Sequence, residues 1–127
     1  MGYAAMPGKV LLVEDEVLIS GLVAEALSDE GFEVFAVETA DAALTYLQTG
    51  GDADVLFTDI NLPGEIDGAA LAVEARKLRP ELPIVYTSGR FIAAEVAPLV
   101  PRSVFVAKPY DPLEVCTLIS RLTPTHH

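Results

Sequence analysis

Five short apolar runs punctuate the chain: Lys9–Val13, Glu33–Val37, Asp54–Asp59, Pro83–Thr87 and Ser103–Ala107. Four of them are nearly continuous rather than alternating, the pattern of strands covered on both faces. Glu33–Val37 is mixed and predicts an edge strand. Between the runs, apolar residues recur at helical spacing. The stripes are Ile19, Leu22, Val23, Ala26 and Leu27; Ala40, Ala43, Leu44 and Leu47; Leu71, Ala75 and Leu78; Ile92, Val96 and Leu99; and Val115, Leu118, Ile119 and Leu122. The punctuation agrees with the stripes. Gly31 suits the C-terminus of the first helix. Thr39 can cap the second, which Gly50–Gly51 closes. Asp67–Gly68 opens the third and Pro80 stops it. Pro98 and Pro101 shorten the fourth, expected from about Phe91 to Leu99. Asp111 can cap the last, with Pro112 in its first turn. Strands alternating with helices through short loops predict a single α/β domain, a doubly wound five-stranded parallel sheet with five helices and right-handed crossovers. The expected domain runs over 9–122, with frayed tails at 1–8 and 123–127.

Composition narrows the partners. Of 127 residues 51% are hydrophobic, enough for a full core. No apolar run reaches the length of a membrane span, and no signal peptide is evident. The one Cys, Cys116, forms no internal disulfide, suits a reducing cytoplasm and reads as a packed helix residue. Nineteen acidic against eight basic residues give a formal charge of −11. That excess argues against nucleic-acid binding, which depends on Lys and Arg neutralising phosphates. It matters more where acids adjoin, because neighbouring carboxylates attract a hard cation.

Acids adjoin at the strand ends. Glu14, Asp15 and Glu16 follow the first strand, and Glu16 falls in the expected first helical turn, where the helix dipole favours it. Asp59 ends the third strand, Thr87 the fourth, and Lys108 follows the fifth. In an open α/β sheet these ends share one rim, where such folds place their chemistry. A lone Asp after a strand is more often a turn residue, and a lone Lys a solvated charge. Four such groups at equivalent ends are hard to produce by chance. Asp15 and Asp59 can hold Mg²⁺, with Glu14 acting through a bound water. Asp59, ionised at neutral pH, can attack a phosphoryl group without a general base and form an acyl phosphate. Lys108 can stabilise the transferred charge, and the Thr87 hydroxyl can donate to a phosphoryl oxygen.

The motifs Val13–Glu14–Asp15–Glu16, Asp59-x-x-Leu62–Pro63, Asp67–Gly68, Thr87–Ser88–Gly89 and Lys108–Pro109–Tyr110 together resemble a response-regulator receiver domain of two-component signalling, CheY-like in fold, over about Lys9 to Leu122. The resemblance implies a strand order of 2-1-3-4-5 and phosphorylation of Asp59 by a histidine kinase or histidine phosphotransfer protein. It implies a backbone carbonyl from Asn61 to the metal and a cis Lys108–Pro109 peptide. Phe105 occupies the family's rotating aromatic position. With Thr87 it would report phosphorylation to the surface of the fourth helix, fifth strand and fifth helix, for a downstream protein target or a homodimer. Departures are Glu14 where Asp is commoner, a loop Pro63–Asp67 one residue longer than usual, Phe105 without the commoner Tyr hydroxyl, an isolated Arg90, and a short fourth helix.

Three rivals deserve comparison. A Mg²⁺-dependent phosphatase with an Asp nucleophile, of the dehalogenase type, needs Asp-x-Asp after the first strand; here Val13 stands where the first Asp would be. A flavodoxin-like cofactor binder needs a phosphate loop there, which three acids oppose. A degenerate receiver that binds without phosphorylation is opposed by the intact acids, Thr87 and Lys108. The expectation is a phosphoacceptor switch, stand-alone or part of a larger regulator, that acts on no substrate but its own phosphoryl group.

Overall fold

The computed structural model describes residues 8–89 and 99–123. Five strands, β1 (Lys9–Val13), β2 (Glu33–Val37), β3 (Val55–Asp59), β4 (Ile84–Ser88) and β5 (Ser103–Ala107), pair in parallel in the order β2-β1-β3-β4-β5. The helices among the described residues are α1 (Val17–Asp29), α2 (Ala40–Gln48), α3 (Gly68–Leu78) and α4 (Pro112–Leu122). The helix expected from about Phe91, and Arg90 before it, lie outside the described residues. No described helix is long and apolar enough to cross a membrane.

The alternation of side chains along β1 splits the core in two. Leu11 and Val13 face α2 and α3, packing with Ala40, Ala43, Leu47, Leu71, Ala75 and Tyr86. Val10 and Leu12 face α1 and α4, packing with Val23, Leu27, Val115, Cys116 and Ile119. The central strands β1, β3 and β4 are therefore buried at nearly every position and apolar along most of their length, as a sheet covered on both sides requires. Cys116 is a buried helix residue, as expected. β2 is the edge strand that its mixed sequence predicts.

Local signals set the element ends. The Thr39 hydroxyl accepts from the Ala42 N–H, the Asp67 carboxylate from Ala70 and the Asp111 carboxylate from Leu113, each satisfying an orphan donor of a first turn. Gly31 follows α1 at φ 96°, where a side chain would strain the backbone. Asp54 stands just before β3, and its carboxylate accepts from the Lys9 N–H at 2.8 Å, which ties β1 to β3 at the end away from the acids.

Three expectations need correction. Glu16 is the N-cap of α1 rather than part of its first turn, and its side chain makes no capping bond. Leu22 is 61% exposed and Leu78 is 39% exposed, so neither belongs to the buried stripe of its helix. Leu22 sits on the flank of α1 over a cavity at the α4 entrance, while Leu78 lies in the last turn of α3 at an open cleft. Beyond the two ends of the predicted domain, Gly8 and Thr123 are themselves buried.

Candidate functional site

Parallel pairing brings the C-terminal strand ends to one rim. Asp59 lies beside Thr87 in register, and Val13, just before the acids, lies beside Thr58. Asp59 and Glu14 are 5% and 1% exposed, whereas Asp15 is exposed. The loop after Asp59 closes tightly over it. A Cβ on Gly68 would stand 1.9 Å from the Asp59 carbonyl oxygen, so this close approach of α3 to β3 admits only glycine.

Lys108 reaches back into the rim from the end of β5. Its Nζ lies 2.7 Å from Asp59 Oδ2, 2.8 Å from Glu14 Oε1 and 3.4 Å from Glu16 Oε1. The other Asp59 oxygen, Oδ1, accepts the Asn61 main-chain N–H at 2.9 Å. Glu14 Oε2 accepts the Glu16 N–H at 3.0 Å. The peptide Lys108–Pro109 is cis, as the resemblance implied.

Burial and charge act in opposite senses on these groups. Burial raises the Glu14 pKa, and the bond to Lys108 offsets that in part. For Lys108 burial alone would favour the neutral amine, but the bonds and charges of Asp59 and Glu14 outweigh it and raise its pKa. Tyr110, its ring tilted against that of Phe57, is pushed up to about 12 by burial and then by the charge of Glu14.

Carboxylate oxygens of Glu14, Asp15 and Asp59 lie within 4.8 Å of one another. Oxygens on opposite sides of a Mg²⁺ ion are about 4.2 Å apart, so a small contraction would let all three face one hard cation. Three carboxylates against one partly buried ammonium leave negative charge uncompensated, which such a cation relieves. The acidic cluster therefore fits a divalent-metal site. Thr87 Oγ1 is the complementary oddity: a buried hydroxyl with no hydrogen-bond partner, on a residue 2% exposed.

Phe105 is separate from the rim. It lies in β5 opposite Tyr86 in register, half-buried against the α2–α3 side of the core. Two features escaped sequence reasoning. The Ser88 hydroxyl donates to Asn61 Oδ1 at 2.6 Å, although Ser88 stood in a recognised motif without a role. Glu16 joins the Lys108 contacts, which only the turn after Asp15 makes possible.

A parallel sheet with acids, a hydroxyl and a lysine gathered at its C-terminal strand ends places the chain in the doubly wound α/β class that keeps its site at that rim. The response regulator receiver domain matches residues 10–120, and the chain belongs to that family. It is 32% identical over 123 residues to the nitrogen assimilation regulatory protein NtrX of Azorhizobium caulinodans, covering 94% of this chain and 27% of that protein. A response regulator receiver protein from Sinorhizobium medicae WSM419 superposes with a TM-score of 0.86 at 32% identity, over 92% of this chain and 94% of that one. The response regulator TrrA of Thermotoga maritima, solved in complex with Mg²⁺ and BeF, gives a TM-score of 0.80 at 27% identity, over 91% of this chain and 98% of that one. The chain spans 27% and 52% of the length of two curated relatives it matches. As a receiver domain it is a signalling module of two-component systems, and the phosphatase alternative is not favoured.

Proposed function

We propose that Asp59 is the phosphoacceptor, charged by the phosphohistidine of a histidine kinase or histidine phosphotransfer protein. The observation that carries this reading is Lys108 Nζ at 2.7 Å from Asp59 Oδ2 beside two further carboxylates. In the transfer, Asp59 attacks phosphorus, the P–N bond to the donor histidine breaks, and its electron pair returns to the imidazole. Held by Asp15, Asp59 and the Asn61 carbonyl, with Glu14 through water, Mg²⁺ would neutralise charge on the phosphoryl oxygens. Lys108 now bonds one of the two Asp59 oxygens, and in the transfer it exchanges that bond for one to a phosphoryl oxygen. Thr87 holds an unmatched donor next to Asp59, and a phosphoryl oxygen would supply its acceptor. Drawing Thr87 inward moves β4 against β5 at Phe105, which carries the signal to the surface of β5, α4 and the expected fourth helix.

The donor needs a place to dock. Val17, Leu18 and Leu22 on α1 and Leu113 on α4 are 65%, 85%, 61% and 61% exposed. Of these Leu22 lines a cavity of about 410 Å³ together with Ile19, Tyr110 and Pro112, with Lys108 at its wall. Such an apolar collar beside an acidic centre suits a protein partner. The output is a change in binding to a downstream protein, in a setting where the receiver works alone or within a longer regulator.

The test is chemical. Incubation with Mg²⁺ and acetyl phosphate should add one phosphoryl mass, labile to hydroxylamine, and Asp59→Asn should abolish it. Labelling retained in that variant would refute the assignment.

A further inference from the structure

Asn61 has two bonds of different kinds at the rim. Its main-chain N–H donates to Asp59 Oδ1 at 2.9 Å, and its side-chain oxygen accepts the Ser88 hydroxyl at 2.6 Å. Ser88 is 1% exposed and ends β4, directly after Thr87. Its carbonyl accepts the Lys108 N–H at 3.0 Å, so one residue touches both the loop that leaves Asp59 and the strand end that carries Lys108. The neighbouring carbonyl, that of Thr87, accepts the Ile60 N–H at 2.8 Å. The end of β4 is thus the framework on which the Asn61 loop is hung.

This bears on the fate of an acyl phosphate. Hydrolysis joins a water oxygen to phosphorus and breaks the bond from phosphorus to the Asp59 oxygen. The electron pair returns to the carboxylate, and the water's protons leave with inorganic phosphate. A water that attacks is held best by a nearby acceptor for one of its protons. The carboxamide oxygen is the side-chain acceptor that Asn61 could offer, and its amino group only donates. The Ser88 hydroxyl takes one of that oxygen's two lone pairs and holds it turned toward the end of β4.

We propose that Ser88 is a positioning residue that lengthens the life of the phosphorylated state by tying the Asn61 carboxamide through its oxygen. The inference rests on Asp59 as the phosphoacceptor. In Ser88→Ala the carboxamide loses its buried donor and turns its oxygen to the water at the rim. Ser88 touches neither Asp59 nor the phosphoryl group in this role; it acts through Asn61.

The experiment charges the protein with acetyl phosphate and Mg²⁺, removes the donor, and follows the decay of the phosphoryl mass. The wild type, Ser88→Ala, Ser88→Thr, Asn61→Ala and the Ser88→Ala/Asn61→Ala pair are compared. Ser88→Ala should decay about fivefold faster, the factor that one neutral hydrogen bond commands. Ser88→Thr, which keeps the hydroxyl on a residue at home in a strand, should decay like the wild type. With Asn61 already changed to Ala, adding Ser88→Ala should alter nothing. In the metal-free, unphosphorylated protein, the side-chain amide NMR signals of Asn61 should move in Ser88→Ala and stay in Ser88→Thr. Unchanged or slower decay in Ser88→Ala, or the same acceleration in both Asn61 backgrounds, would overturn the role. Acceleration in Ser88→Thr equal to that in Ser88→Ala would overturn it as well. A wild type that takes no phosphoryl group on Asp59 sinks the proposed function and this inference with it. A wild type that charges normally while Ser88→Ala decays unchanged sinks the inference alone.

Discussion

Thr87→Val should make the metal-free, unphosphorylated protein more stable while impairing its response. The Thr87 hydroxyl is buried and has no partner, and Val differs from Thr by little more than that hydroxyl. A buried polar group without a partner costs about 1–3 kcal/mol, so removing it should recover about 1–2 kcal/mol after imperfect packing of the new methyl. For 127 residues the unfolding entropy is about 0.27 kcal/mol/K, so the gain corresponds to a rise in Tm of about 4–7 °C. Val also suits a central strand at least as well as Thr, so β-propensity does not oppose the gain. Differential scanning calorimetry in the presence of a chelator measures it, and urea titration with an unchanged m-value checks that the unfolding transition is the same. The same variant lacks the donor that a phosphoryl oxygen would engage. Stabilisation by phosphorylation should therefore be smaller in Thr87→Val than in the wild type. A Tm equal to or below that of the wild type would show that the hydroxyl is satisfied in the unphosphorylated protein, and the orphan-donor account of the switch would fall.

Three further expectations follow from the same rim. Asp15→Asn should raise the metal-free Tm by about 2–4 °C, because it relieves roughly 1 kcal/mol of repulsion on an exposed carboxylate, and should weaken Mg²⁺ binding in calorimetric titration; a lower Tm would contradict the crowding of acids. Gly68→Ala should destabilise by about 2–3 kcal/mol and slow charging by acetyl phosphate, since the Asp59 carbonyl must retreat by more than an ångström; wild-type behaviour would mean that the approach of α3 is not tight. Tyr110 favours its neutral form in the folded state, so its contribution to stability is complete below pH 10 and is lost as pH climbs to about 12. The tyrosinate absorbance lost in Tyr110→Phe should accordingly titrate near pH 12, and a midpoint near 10 would deny its burial beside Glu14.

The fold was legible because the residues that form it answer to local rules. Val10–Val13 and Val55–Thr58 are buried on both sides of the sheet, so the run itself announces the strand. Thr39, Asp67 and Asp111 each cap a helix with their own side chain, which a sequence displays directly. Leu22 and Leu78 were misplaced for a common reason. Helical spacing tells which residues share a face, but not how wide a band the neighbouring sheet covers. Leu22 stands at the flank of that band and Leu78 past its end. The boundary of α1 shifted past Glu16 because the Glu14 carboxylate takes the Glu16 N–H, a bond that three consecutive acids do not advertise.

For the site, the sequence disclosed which groups meet and concealed how they are shared. Asp59 and Thr87 end adjacent parallel strands, so their proximity follows from strand order alone. Lys108 is different: its position after β5 allows it to reach the rim, yet which of the four acids there it holds most closely depends on burial. Asp59 and Glu14 are shielded from water and share the ammonium at 2.7 and 2.8 Å, exposed Glu16 stands farther off at 3.4 Å, and exposed Asp15 is left to solvent or to a cation. In low dielectric an ammonium goes where desolvation would otherwise cost most. The metal site is thus defined partly by what Lys108 leaves uncompensated, and an incoming Mg²⁺ and phosphoryl group must redistribute a charge already in place. Under the proposed transfer Lys108 is more than a passive counter-ion: exchanging its bond to Asp59 would add a second link, beside Thr87 and Phe105, between occupancy of the rim and β5.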